Sequence, residues 1–169
     1  QQLGKLNYEL SLRQEVTENY NSPLLFSAGG NYRFSDKYLL RISTSRNFRI
    51  PTFNDLFWQS GGNSELDPET SVQAEIGNEL NIGDFNFKLT GYFMDIDDLI
   101  RWIPGNSGIW RPVNTNSVHN YGLEFFSSWS RKIDGNPLSF SANYAFTRSV
   151  DQGTGNQLIY TPKHKLTFS

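Results

Sequence analysis

The sequence predicts an all-β fold, an antiparallel up-and-down segment of a transmembrane β-barrel, and three observations carry that prediction. Apolar and polar residues alternate with a period of two along successive stretches of the chain. The stretches are joined by connections that are alternately short and long. Aromatic residues make up 15% of 169 residues, against one Met and no Cys, a balance that favours strands over helical packing.

About eight strands follow from the alternation. In the first, Leu6, Tyr8, Leu10, Leu12 and Val16 oppose Asn7, Glu9, Ser11, Arg13 and Glu15. In the second, Phe26, Ala28, Gly30, Tyr32 and Phe34 oppose Ser27, Gly29, Asn31 and Arg33, and in the third Tyr38, Leu40 and Ile42 oppose Arg41, Ser43 and Ser45. The fourth sets Val72, Ala74, Ile76, Leu80 and Ile82 against Gln73, Glu75, Gly77 and Glu79. Phe85, Phe87, Leu89 and Phe93 against Asn86, Lys88 and Thr90 make the fifth. Tyr121, Leu123, Phe125 and Trp129 against Asn120, Gly122, Glu124 and Ser128 make the sixth. The seventh sets Leu138, Phe140, Ala142, Tyr144 and Phe146 against Ser139, Ser141, Asn143 and Thr147, and an eighth starts at Lys163. A helix, with its period of 3.6, cannot satisfy such a pattern.

Short turns are expected at Ser35-Asp36-Lys37, Gly83-Asp84 and residues 131–137, which carry the Gly, Asp and Asn that tight turns favour. Longer connections are expected over residues 17–22, 47–68, 97–117 and 149–162. In an up-and-down barrel all of these emerge on one side, as short periplasmic turns and long extracellular loops do in outer-membrane barrels. Phe34, Tyr38, Phe85 and Trp129 sit beside the short turns, where an interfacial girdle belongs. A one-sided soluble sheet shows the same alternation, so the residues leave a second reading open, a β-sandwich that binds a ligand or glycan.

No apolar run reaches the length of a membrane-spanning helix, and the first residues carry no signal-peptide core. A net charge of -2 with both signs scattered singly offers no basic stripe for nucleic acid. With His119 and His164 as its only histidines the chain presents no catalytic triad and no histidine metal site, and no catalytic residue, metal ligand or cofactor is assigned. Asp95, Asp97 and Asp98 are read as a solvated loop entrance. Charges on the polar face, Arg13, Arg33, Arg41, Glu75, Glu79 and Glu124, are read as structural partners of one another or of a lumen filling. The ligand-binding candidates are in the long connections: Phe53, Phe57, Trp58, Trp102 and Trp110 with Arg49, Arg101 and Arg111. Aromatic faces beside guanidinium groups suit large, partly anionic ligands.

Two stretches carry a family resemblance. Ser45-Arg46-Asn47-Phe48-Arg49-Ile50-Pro51-Thr52-Phe53-Asn54-Asp55-Leu56-Phe57-Trp58 is similar to a Phe-Arg-Ala-Pro box, with Ile50 departing from it. Gly62-Asn63-Ser64-Glu65-Leu66-Asp67-Pro68-Glu69 is similar to an Asn-Pro-Asp/Asn-Leu box running into Pro-Glu, with Ser64 departing. Asp98-Leu99-Ile100, Asn120-Tyr121-Gly122-Leu123-Glu124 and Tyr160-Thr161-Pro162-Lys163-His164-Lys165 follow in the same order as in that family. The chain thereby resembles the C-terminal half of TonB-dependent outer-membrane receptors. The resemblance implies that residues 1–169 are a partial barrel domain, about eight strands of a 22-stranded wall, with the plug domain and final strands outside the sequence. It also implies a Gram-negative outer-membrane location, contact with lipid and with the TonB complex through an absent N-terminal region, and uptake of a scarce small-molecule nutrient or metal chelate. A haem receptor of this family has a histidine between the two boxes, and residues 52–62 contain none. The run from Pro51 to Trp58 looks more like receptors of the vitamin B12 type, with ferric siderophores as the alternative ligand.

Overall fold

The computed structural model describes residues 2–105, 108–159 and 161–169. Gln1, Asn106, Ser107 and Tyr160, the last opening the segment that resembles Thr-Pro-x-His-Lys, lie outside the described residues. Nine strands are described: β1 (Gln2–Leu3), β2 (Leu6–Arg13), β3 (Leu25–Ser35), β4 (Tyr38–Arg49), β5 (Glu69–Ile82), β6 (Phe85–Pro104), β7 (Trp110–Ile133), β8 (Asn136–Asp151) and β9 (His164–Phe168). One short helix, α1 (Phe53–Phe57), lies between β4 and β5. The eight expected strands are all present, and β1 adds a two-residue strand before them. They form one sheet in chain order, each antiparallel to the next. A single meander is the arrangement of a barrel wall, and the described residues contain no second sheet to make a sandwich.

The register explains why the alternation is so regular. One row across the sheet reads Tyr8, Gly30, Ile42, Ile76, Gly91, Leu123 and Phe146, and its neighbour reads Asn7, Asn31, Arg41, Gly77, Thr90 and Glu124. The first row belongs to a face on which Leu10, Leu12, Ile42, Ile76, Leu89, Leu123 and Phe140 stand exposed, an apolar surface that needs hydrocarbon against it. The second lines a polar hollow of about 730 Å³ that includes Asn7, Glu9, Asn31, Arg41 and Glu75. On that face Arg41 pairs with Glu79 at 2.9 Å, and Glu79 also accepts from Asn86 at 3.1 Å, as structural lumen charges do. Near the short-turn side, Phe34 packs on Tyr38 at 5.3 Å between ring centres, and Phe85 stands directly opposite Trp129.

The connections expected over residues 17–22, 47–68 and 149–162 shift by up to three residues, to 14–24, 50–68 and 152–163, and two other boundaries differ more. The turn expected over residues 131–137 tightens to Asp134-Gly135, both at positive φ (50° and 81°), the geometry a two-residue hairpin of matching twist requires. The connection expected over residues 97–117 is mostly strand. The β6–β7 ladder continues from Leu99↔Thr115 to Pro104↔Trp110, so that only five positions separate the two strands. Leu99, Ile100, Trp102, Ile103, Val113 and Thr115 have the aliphatic, aromatic and β-branched side chains that suit a ladder. The polar Asp97-Asp98 and Asn114 to Asn116 masked that signal. β6 has 20 residues and β7 has 24, about twice the roughly 9 to 11 that a tilted strand needs to cross the hydrocarbon layer.

Candidate functional site

Past Thr70↔Asp97 on one side and Val118↔Asp151 on the other, β6 and β7 lose their outer strand neighbours and continue as a two-stranded ribbon. Arg101 and Trp102 lie on the β6 half of this ribbon, and Trp110 and Arg111 on the β7 half. These four candidates are therefore strand residues, not loop residues, and only Phe53, Phe57 and Trp58 lie in a connection, with Arg49 closing β4. A ribbon of two strands is marginal by itself, so what flanks it decides whether it stands.

Residues 50–68 flank it on the β5 side. Pro51 cannot continue the β4 ladder, and Thr52, in extended conformation, opens α1. The Thr52 side chain accepts from Asp55 N–H at 3.2 Å, while Asp55 Oδ2 accepts from Thr52 N–H at 2.9 Å and Thr52 Oγ1–H at 2.7 Å, a reciprocal capping box. The helix places Phe53 and Phe57 on one face, 5.0 Å apart between ring centres. Gly61 N–H and Gly62 N–H then return to the Trp58 carbonyl, and Asn63 N–H to the Asp55 carbonyl.

Asp55 joins this connection to the ribbon. It is only 6% exposed, and its Oδ1 accepts from Trp102 Nε1–H at 2.9 Å. Burial by itself raises its pKa, but hydrogen bonds from the Thr52 backbone and side chain and from Trp102, with the Arg49 charge, outweigh burial and hold it below the ordinary carboxylate range. Arg49 pairs with Glu69 at 2.8 Å and donates to the Ile100 carbonyl at 3.3 Å, while Ile100 N–H donates to Glu69 at 3.1 Å. Further along, Asn63 reaches the Pro112 carbonyl, and Asn114 both donates to and accepts from the Asp67 backbone. Gly61 lies so close to the ribbon that a Cβ there would stand 2.5 Å from the Trp110 carbonyl oxygen. Leu66, Ile100 and Pro112 are buried beneath these contacts.

The other flank is held by Asp151, whose Oδ2 takes Arg101 at 3.1 Å while its Oδ1 accepts from Gly153 and Thr154 N–H; Arg101 also donates to Thr115 at 2.6 Å. Arg49 and Arg101 are thus committed to carboxylates of the fold. Arg111, exposed beside Gly61, forms no ion pair among the described residues. Phe53, Phe57 and Trp58 stay 80%, 56% and 51% exposed, and with Asn54, Gln59 and Ser60 they line a recess of about 450 Å³. The Trp58 ring meets Trp102 edge-on at 6.4 Å. Asp55 and Glu69 hold the arrangement together and were not among the sequence candidates. The Thr52-x-x-Asp55 spacing is a capping-box signal that points to the first, whereas nothing local points to Trp102 as its partner.

Of the three neighbouring aspartates, Asp95 faces His119 at 3.3 Å, and Asp98 sits at φ 55° with its carbonyl held by Asn114. Burial, and then the charges of Asp67 and Asp97, push the Asp98 carboxyl above the usual range. The described residues contain no group of three or more His, Asp or Glu arranged to hold a metal ion.

The family model described as TonB dependent receptor-like, beta-barrel matches residues 1–169. A vitamin B12 transporter, BtuB, of Photobacterium profundum is 28% identical over 160 residues, covering 92% of this chain and 26% of that protein. Another BtuB, of Vibrio vulnificus, is 33% identical over 117 residues, covering 69% of this chain and 19% of its own length. The chain therefore spans about a quarter or less of the curated relatives it matches. In fold it is similar to a ferric enterobactin receptor of Pseudomonas aeruginosa solved with enterobactin, with a TM-score of 0.78 at 20% identity over 98% of this chain and 28% of that one.

Proposed function

This chain belongs to the TonB-dependent receptor β-barrel family, and from that premise we propose that the complete protein captures a large, scarce nutrient at the cell surface and imports it with energy delivered through TonB. The family is one of receptors and transporters, and its barrels lie in the outer membrane of Gram-negative bacteria. Residues 1–169 then form part of the barrel wall, the apolar face meets lipid, and the polar hollow faces the lumen and its plug. The ligand leaves as it entered, without a bond being broken.

The observation that carries this reading is the exposed aromatic recess of Phe53, Phe57 and Trp58, held on the long-connection side, the side that outer-membrane barrels turn outward. Rings so exposed in a preorganised loop bury apolar ligand surface at little conformational cost. We assign Phe53, Phe57, Trp58, Trp110 and Arg111 to direct ligand contact, with Arg49, Arg101 and Trp102 supporting them. The ligand class that fits is cobalamin, a bulky ring system read through its periphery, and the similarity to vitamin B12 transporters supports it. A ferric siderophore is the second reading, favoured by Arg111 if the ligand is anionic.

Equilibrium titration of the full-length receptor with cyanocobalamin tests the assignment. Nanomolar affinity that weakens about tenfold or more in Phe53→Ala and Trp58→Ala is expected. No binding at micromolar cyanocobalamin, alongside tight binding of a ferric chelate, transfers the assignment to siderophores.

A further inference from the structure

The aromatic recess and the β6–β7 ribbon are separate in sequence but not in structure. The polar links through Asp55, Glu69, Asn63 and Asn114 run through residues that do not themselves face the recess. Asp55 is the most connected of these: one carboxylate oxygen takes both Thr52 donors and the other takes the Trp102 indole N–H, with Arg49 Nη1 at 3.9 Å. It sits inside α1 between Phe53 and Phe57, so whatever fixes Asp55 fixes the attitude of both rings. We infer that Asp55 is the positioning residue of the ligand face, locking α1 onto Trp102 so that the β4–β5 connection and the ribbon present one rigid surface rather than a mobile lid. This rests on the reading of Phe53, Phe57 and Trp58 as ligand contacts.

The chemistry of the two oxygens makes the inference testable. A carboxylate accepts on both sides at once. An asparagine offers one acceptor and one NH₂ donor, so it satisfies either Thr52 or Trp102 and turns a donor toward the other. Asp55→Asn therefore breaks either the Thr52 cap or the Trp102 link and Trp102→Phe breaks the second, and in combination the phenyl ring removes the indole donor, so that the amide oxygen is free to cap Thr52. A residue that merely packed would give independent, multiplying effects.

Hydrogen exchange on the full-length receptor in detergent micelles, without ligand, reads this out. The Leu56, Trp58 and Asn63 amides, bonded to Thr52, Asn54 and Asp55 carbonyls, report on α1 and its return. Each single variant is expected to speed their exchange about tenfold or more, as loss of a charge-assisted hydrogen bond does, while the β5–β6 ladder keeps its protection and shows that the barrel has assembled. The double variant is expected to exchange no faster than the faster single one. Unchanged exchange in Trp102→Phe, or multiplying effects in the double variant, overturns the inference. Cyanocobalamin titration of the same proteins is a separate arm: failure of the wild type to bind removes the ligand assignment, while the exchange cycle still decides whether Asp55 locks the loop.

Discussion

Gly122 stands directly opposite Tyr92, and the phenol lies across the space that any side chain at 122 would occupy. A Cβ there would come within 2.7 Å of Tyr92 Oη and press on the Phe146 carbonyl, while Tyr92 itself crosses β7 to meet Thr147 Oγ1 at 2.9 Å on β8. Gly122→Ala is expected to cost about 1 to 3 kcal/mol, the range for overpacking, and to reduce the heat-modifiable, folded fraction of the full-length receptor. Gly29→Ala, where the nearest atom is 3.9 Å away, is the matched control. Equal folded fractions for both would show that the Phe146 backbone and the tyrosine give way at no cost.

The two faces respond differently to charge. Leu89→Arg and Ala142→Arg place a guanidinium on the apolar face, at about 2 to 4 kcal/mol near the bilayer midplane, and Thr90→Arg and Ser141→Arg place it on the lumen side. Assembly of the first pair is expected to fall well below that of the second on heat-modifiability gels. Indistinguishable assembly of all four would mean the faces are exchanged.

Surface labelling fixes the orientation. Cysteines at Gln59 and Gln152, both exposed in the long connections, should react with an impermeant maleimide on intact cells, and one at Asp84, in a two-residue turn, should react only after lysis. Gly61 is unsuitable for this purpose, because a side chain there collides with the Trp110 carbonyl. Labelling of Asp84→Cys alone on intact cells would invert the topology.

The lock on α1 has a pH dependence of definite sign. Because the folded pKa of Asp55 lies below its unfolded value, the folded loop binds a proton more weakly than the unfolded chain does. Its stabilisation is complete above the unfolded value and fades as pH falls through the folded one. Protection of the α1 amides, corrected for intrinsic exchange, should stay level from neutral pH into the ordinary aspartate range and drop only below it. Asp55→Asn should show no such drop. A fall in the wild type already near neutral pH would assign the titration to another group.

Much of this architecture is readable from residue order, for a physical reason. Alternation along a strand depends only on the pleat, so the assignment of Leu89 and Thr90 to opposite faces needs no knowledge of neighbours. The turn at Gly83-Asp84 is equally local. What escapes is whatever depends on partners distant in sequence. Trp102 was readable as an aromatic in a candidate site, but its indole N–H meets a carboxylate 47 positions earlier. Arg49 and Arg101 looked available to an anionic ligand, and Glu69 and Asp151 take them instead. The ribbon escapes for the same reason, because Arg101, Trp102 and Asn114 take partners from flanking segments distant in sequence.

Those flanking segments give the ribbon a mechanical character. Successive strand residues project to opposite faces, and Arg101 and Trp102 are gripped by Asp151 from one neighbour and Asp55 from the other. The ribbon is a cantilever rooted in the bilayer and guyed on both sides by carboxylates. A push at Pro104 or Trp110 is carried down the β6–β7 ladder toward the sheet, a ladder whose pairing skips only Asp98 opposite Asn116. Asp98, the single left-handed residue in β6, is the one place along that beam where the pairing is interrupted.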